Sequence, residues 1–301
     1  MLAPRSSYRL PQELTGLVMK NLSRNRTALC TASLVCKAWA VESSRVLFEI
    51  HTIELKRPHD AEWLATLKGS TRIRTNVRHL RVKAMDEFCQ RLKLVAPRYV
   101  FEHLAQALLY LPNLRSLELY WAHLKCGPEG TEALAGLRAR GFSLRRLAIE
   151  YIPGLSCSAP TQRCYVRLLQ AVASLDELYI GSNDEWSKID GADYLKLQDI
   201  QPTPPLRVKR VTVTCRSALP LLDWVCGEFG PSPLDTGRVE SLEMPVHPES
   251  IAPNSTTRPC LKLLTTLTGL RELKLDVCLR ALAAKREHVA GNSQSSSRES
   301  T

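Results

Sequence analysis

The chain has 301 residues, of which 44% are hydrophobic and 24% charged, with a formal net charge of +11. That length admits one large or two modest domains of ordinary globular composition. No apolar run approaches the ~18 residues of a membrane-spanning helix, and the opening MLAPRSSYRL lacks the apolar centre of a secretory signal.

The ten cysteines are scattered, without a C-x-x-C pair. They read as reduced thiols of an intracellular protein, cytoplasmic or nuclear. Lysine and arginine are spread along the chain rather than massed in one tract, which argues against a nucleic-acid partner.

The first unit spans residues 8–50. Pro11 follows Leu10 and suits a helix start, because its missing N–H would be unpaired there anyway. Leu14, Leu17, Val18 and Leu22 recur at steps of three and four, the stripe of a short amphipathic helix. Ser23 and Asn25 break that helix and offer N-caps for a second. Leu29, Ala32, Val35, Cys36 and Trp39 give the second its apolar face. A third run, Val41 to Phe48, closes the unit, with Glu42, Ser43, Ser44 and Arg45 expected on its wet side. Three helices in so short a stretch make a poor independent core. With no metal-ligand spacing to help, the unit is expected to be completed by another protein.

Leu10-Pro11, then Leu14, Val18 and Leu22, then Leu29, then Leu34-Val35-Cys36-Lys37 with Trp39, then Arg45, Leu47 and Phe48, together resemble an F-box in its fungal form. Asn25 stands where fungal members often carry an acidic residue. The resemblance implies docking on the Skp adaptor of Skp–cullin–F-box ubiquitin ligases, with cullin reached through the adaptor. Leu10, Pro11, Leu14, Val18, Leu22, Leu29, Leu34, Val35, Cys36 and Trp39 would make that contact. The rest of such a protein holds a protein substrate for ubiquitination. The adaptors of this family are acidic, which suits a moderately basic chain.

Residues 51–75 are expected to connect, with a short strand through Ile53 and Leu55 and a helical stretch from Ala61 to Leu67. From 76 to 284 an apolar-x-x-apolar-x-apolar segment recurs every 30 to 37 residues. Its instances are Val77/Leu80/Val82, Leu114/Leu117/Leu119, Leu144/Leu147/Ile149, Leu175/Leu178/Ile180, Val208/Val211/Val213, Val239/Leu242/Met244 and Leu270/Leu273/Leu275. The last two apolar residues of each alternate on a short strand and point inward. Helical runs lie between, as with Leu104, Leu108 and Leu111, or Val166, Leu169 and Val172. One strand and one helix cannot bury their own apolar faces, whereas stacked neighbours can. The fold expected is a three-helix F-box followed by an α/β leucine-rich-repeat-like solenoid of about seven strand–helix repeats.

This second part resembles irregular leucine-rich repeats, a frequent companion of F-boxes. Its period exceeds the ~20–29 residues usual for them. The buried Asn/Cys position three after the last strand residue is Asn183 and Cys278 in two repeats. Elsewhere it is Met85, Ala122, Ile152, Arg216 and His247, so the asparagine ladder is largely absent. The alternative is a doubly wound α/β domain with unrelated strands. The proline-rich stretches 201–205, 230–233 and 245–259 read as stiff loops. The serine-rich tail 285–301 reads as disordered. No polar capping repeat follows the last strand, so the solenoid is expected to end open or the sequence to stop short of its end.

No nucleophile elbow, P-loop, zinc-protease or dinucleotide motif occurs, and the seven histidines are dispersed. The expectation is a non-catalytic protein without cofactor or metal: a substrate receptor or, alternatively, a non-ligase scaffold. A hydrolase or nucleic-acid binder remains the reading from another class. Arg115, Glu118, Arg146, Glu150, Glu177, Tyr179, Lys209, Thr212, Glu240, Glu243, Glu272 and Lys274 alternate with the inward residues and would line a concave face. Trp121, Tyr151 and Trp186 follow repeat strands. Tyr120, Glu150 and Tyr179 should lie on adjacent strands as a compact patch with two aromatic anchors for a protein substrate.

Overall fold

The computed structural model describes residues 10–54, 60–83, 100–101, 103–120, 122–124, 127–150, 159–181, 205–214, 234–246 and 264–277. Trp121, Tyr151, Asn183, Trp186 and the tail 285–301 lie outside them. So do residues 201–204, 230–233 and 247–259 of the proline-rich stretches.

Three helices open the chain: α1 (Gln12–Asn21), α2 (Arg26–Ala32) and α3 (Lys37–Glu49). Asn25 caps α2, its side chain accepting from the Ala28 N–H at 2.9 Å. The second predicted helix is shorter than expected. Helix α2 stops at Ala32, residues 33–36 turn, and Trp39 belongs to α3.

Helix α3 also reverses the expected polarity. Glu42, Ser43 and Ser44 are buried, Glu42 and Ser43 reaching Gln12 and Met19 of α1, while Val41 faces outward. The serines can be buried because each hydroxyl donates to a carbonyl four residues back, Ser43 to Trp39 and Ser44 to Ala40, both at 2.6 Å. Glu42 is neutralised by Arg45 at 2.9 Å and accepts from Gln12 at 3.3 Å. Gly16 leaves the Arg45 guanidinium room, since a Cβ there would lie 3.2 Å from it. The apolar core of the unit is Met19, Leu29 and Ala32, with Leu22, Trp39, Val46 and Leu47 packed around it.

Helix α3 runs directly into β1 (Ile50–Glu54), which is followed by α4 (Asp60–Gly69), α5 (Thr71–Asn76) and β2 (His79–Lys83). Strand β1 pairs along its whole length with β2. The short strand expected through Ile53 is therefore present, and it is the first strand of the sheet; Leu55 lies outside the described residues. After β3 (Val100–Phe101) come α6 (Leu104–Leu109), β4 (Ser116–Tyr120), β5 (His123–Leu124), α7 (Pro128–Ala139), β6 (Ser143–Glu150), α8 (Ala159–Ala171) and β7 (Ser174–Gly181). Strands β8 (Arg207–Val213), β9 (Ser241–Val246) and β10 (Glu272–Val277), with a short helical turn at Thr236–Arg238 before β9, complete the described elements.

The main sheet has 8 strands in the order β1-β2-β4-β6-β7-β8-β9-β10. Every pairing is parallel. Strand order follows chain order and never reverses. A doubly wound sheet has such a reversal, so this is a solenoid-like α/β stack. Strands β3 and β5 form a separate parallel pair.

The inward triplets from Val77/Leu80/Val82 to Val239/Leu242/Met244 are all buried in one continuous core. Helices α6, α7 and α8 pack in succession and add Leu108, Leu137 and Leu169 to it. Between the first and second apolar residue of a repeat the ladder steps. The Arg78 carbonyl takes the N–H groups of both Arg115 and Ser116, and the Arg115 carbonyl those of Arg145 and Arg146. That step makes the spacing x-x before the strand and x within it. It also puts Arg115, Lys209 and Glu240 at the kink rather than on the regular strand face. In place of an asparagine ladder at Ala122, the buried Tyr165 hydroxyl donates to its carbonyl.

The last triplet differs: Leu273 and Leu275 on β10 are half exposed, 47% for Leu275. Leu147→Ala should therefore cost about 2–5 kcal/mol, and Leu275→Ala well under half as much. Urea unfolding of the two variants checks this.

Candidate functional sites

The structure offers two surfaces. The first lies on the N-terminal unit. On α1 the residues facing inward are Thr15 and Met19, and the apolar stripe Leu14, Leu17 and Val18 faces solvent. Leu10 and Pro11 before the helix are exposed, as are Leu34, Val35 and Cys36 in the turn after α2. Leu34 is 86% exposed and Leu14 47%. The remaining residues of the expected adaptor contact sit differently. Leu29 is buried within the unit, and Leu22 and Trp39 pack around its core. Leu17, Val41 and Ile50 are exposed apolar residues that the motif did not name. Eight of the ten large apolar side chains exposed among the described residues thus fall between Leu10 and Ile50. The other two are Leu273 and Leu275.

The second surface is the sheet face opposite the helices. Register aligns its outward residues in rungs across the strands. One rung carries His79, Ser116, Arg146, Glu177, Arg210, Ser241 and Glu272. The next carries Arg81, Glu118, Ala148, Tyr179, Thr212, Glu243 and Lys274. The last, at the carboxyl ends of the strands, carries Lys83, Tyr120, Glu150 and Gly181.

Charges on this face alternate from strand to strand. Arg81 donates to Glu118 at 2.6 Å, and Arg146 approaches Glu118 at 3.8 Å and Glu177 at 4.0 Å. Arg210 closes the series on Glu177 at 2.8 Å. Glu118 is buried, and the Tyr120 hydroxyl donates to it at 3.1 Å. Burial, then the Glu118 charge and that bond, push the Tyr120 phenol up from its usual range. Arg81, Lys83 and Arg210 are outward charges absent from the expected concave set; they lie one and three residues after Leu80 and one before Val211, positions that alternation about the second apolar residue names outward.

Tyr120, Glu150 and Tyr179 do stand on the adjacent strands β4, β6 and β7. Tyr120 and Glu150 share a rung, and Tyr179 belongs to the one before. Gly181 removes that offset: a Cβ there would lie 2.7 Å from the Tyr179 ring and hydroxyl. The ring therefore leans over Gly181 into the Glu150 rung, with its hydroxyl 3.2 Å from that of Thr214.

Among the described residues no group of three or more His, Cys, Asp or Glu could hold a metal ion, and no helix is long and apolar enough to cross a membrane. Cys30 and Cys36 are exposed free thiols and Cys164 is buried. No protein-family model matches the chain, and no curated protein matches it significantly.

Where the N-terminal unit meets the sheet, Trp63 Nε1 donates to His51 Nε2 at 2.9 Å, and the rings stack 6.1 Å apart. Burial and then the Arg26 charge hold the imidazole below its ordinary 6.5. The fold thus favours neutral His51, and the unfolded chain takes up the proton first. This stabilisation is complete above about pH 6.5 and is lost as pH falls through the depressed value. Tm should fall on acidification from about pH 7 to about pH 5 more steeply in the wild type than in His51→Gln. The glutamine can still accept from Trp63 but does not titrate. Melting curves across that range decide it.

Proposed function

We propose that the chain is an F-box substrate receptor, which binds the Skp adaptor through its N-terminal unit and presents a protein substrate on its solenoid. The exposed apolar surface running from Leu10 through Leu14 and Val18 to Leu34 and Val35 carries this reading. A unit whose amphipathic helix turns its apolar stripe outward leaves that area for a partner. The F-box resemblance places expected adaptor contacts on most of the same residues. Leu29 would act from beneath, as core that sets the angle of α2.

In this role the chain catalyses nothing and needs no cofactor or metal. It raises the effective concentration of substrate beside the ubiquitin-conjugating enzyme. Cullin joins through the adaptor, neither nucleic acid nor membrane takes part, and the complex works in the cytoplasm or nucleus. The solenoid's concave face is the substrate surface.

Full-length tagged protein should capture recombinant Skp adaptor, and cullin with it. Leu14→Asp and Leu34→Asp should weaken adaptor capture at least about 100-fold, because a carboxylate would be buried in an apolar contact. Both side chains are solvent-exposed, so far-UV circular dichroism should be unchanged. Capture at wild-type strength by both variants would remove the assignment of this face. Adaptor without cullin would turn the receptor into a non-ligase scaffold.

A further inference from the structure

Two carboxylates on the sheet face opposite the helices are buried, Glu118 and Glu150, with 8% and 9% of their surface exposed. Their surroundings differ. Glu118 lies between Arg81 and Arg146 and accepts from Tyr120. Glu150 has no ion pair or hydrogen bond among the described residues, and burial alone lifts its carboxyl above the usual range. Alternation aims it at the concave face, since Ile149 beside it is fully buried in the core.

Aromatic residues flank Glu150 on both neighbouring strands. Tyr120 is its register partner on β4, and the Tyr179 ring leans over Gly181, its partner on β7. Tyr120 already faces a cation on its far side, with Lys83 Nζ 5.8 Å from the ring centroid. Aromatic faces attract ammonium and guanidinium groups, and a desolvated carboxylate makes its strongest hydrogen bonds to them. A buried carboxylate without a cation is costly, and among the described residues of this face Glu118 and Glu177 have cations while Glu150 has none.

Charge on the wider face agrees. The three rungs named above hold five cations and five carboxylates, a net charge of zero on a chain that carries +11. The excess positive charge lies elsewhere, so a basic partner meets no net repulsion from these groups.

We infer that Glu150, between Tyr120 and Tyr179, is a recognition site for one basic side chain, lysine or arginine, of a protein partner. This rests on the concave face being the substrate surface proposed above, and it names the class of residue that surface selects. The carboxylate supplies charge and acceptor oxygens, and the two rings supply flat walls for the aliphatic stem. Gly181 is a positioning residue, since any side chain there displaces the Tyr179 ring.

A phage-displayed library of random twelve-residue peptides, panned on immobilised full-length protein, tests this. Selected peptides should share a lysine or arginine at one position. A synthetic lead should bind the wild type at least about tenfold tighter than its acetyl-lysine or citrulline counterpart. Glu150→Gln should bind both forms equally, at the weaker level, and without peptide should melt no lower than the wild type, since no partner is lost. A selection without a basic anchor, a lead that binds wild type and variant alike, or a variant that melts lower would overturn the site. Adaptor capture is read separately. If it fails while the lysine preference holds, the ligase reading falls and this site stands.

Discussion

Each repeat of this chain has an apolar face that it cannot bury alone. Leu117 and Leu119 are removed from water only because β2 and β6 flank β4 and helices cover the same side. The sheet order follows from that. A strand can find cover soonest beside its predecessor, so chain order becomes sheet order and every crossover returns parallel. The same dependence explains the ends. At the amino end, α3 continues directly into β1, which covers one edge of β2. At the other end, β10 pairs with β9 but leaves Leu273 and Leu275 half exposed.

Burying one face dictates what the other must do. Outward residues of parallel strands stand about 5 Å apart, so like charges on one rung would repel across the whole sheet. The sequence alternates them: Arg81, Glu118, Arg146, Glu177 and Arg210 fall on successive strands. Individually such half-exposed pairs contribute little, about 0–1 kcal/mol. Their larger effect is on register. A slip of two residues keeps the alternating strand pair of each triplet, such as Leu117 and Leu119, inward, so that pair alone does not forbid it. It would, however, take Arg210 away from Glu177 and Arg81 away from Glu118, which is buried and would then lack its nearest cation.

The repeat was legible in the sequence because three apolar residues at fixed spacing recur seven times, and period-two alternation then names the outward residues. What escaped was local and polar. Helix α3 was expected to turn Glu42, Ser43 and Ser44 to water. Buried serines that bond their own helix carbonyls carry no signal in an apolar pattern, and the Glu42–Arg45 pair looks the same exposed or buried. The kink that displaces Arg115, Lys209 and Glu240 depends on one carbonyl taking two N–H groups, which side-chain spacing does not show. Tyr120, Glu150 and Tyr179 were placed on neighbouring strands by alternation. Their gathering on one rung depends on a missing Cβ at Gly181.

The N-terminal unit shows the same physics with the opposite outcome. Its apolar residues are numerous enough for a core, yet only Met19, Leu29 and Ala32 are fully enclosed, and polar Thr15, Glu42, Ser43 and Ser44 fill the rest of the interior. Exchanging the two sets, with Leu14 and Val18 inside and the serines outside, would bury more apolar area and stabilise the isolated unit at ~25 cal/mol per Å² gained. The fold forgoes that gain. Such an arrangement is favourable when the outward stripe is buried by association, because the interior hydroxyls of Thr15, Ser43 and Ser44 are already bonded to backbone carbonyls while the apolar stripe waits for cover. The sheet face works on complementary terms, since among the described residues Arg81, Arg146 and Arg210 pair with Glu118 and Glu177 while Glu150 has no such partner. Each surface therefore leaves unsatisfied one kind of chemistry, apolar area on the helices and a single desolvated carboxylate on the sheet. That division matches two partners of different character, held by one continuous scaffold through the uninterrupted passage from α3 into β1.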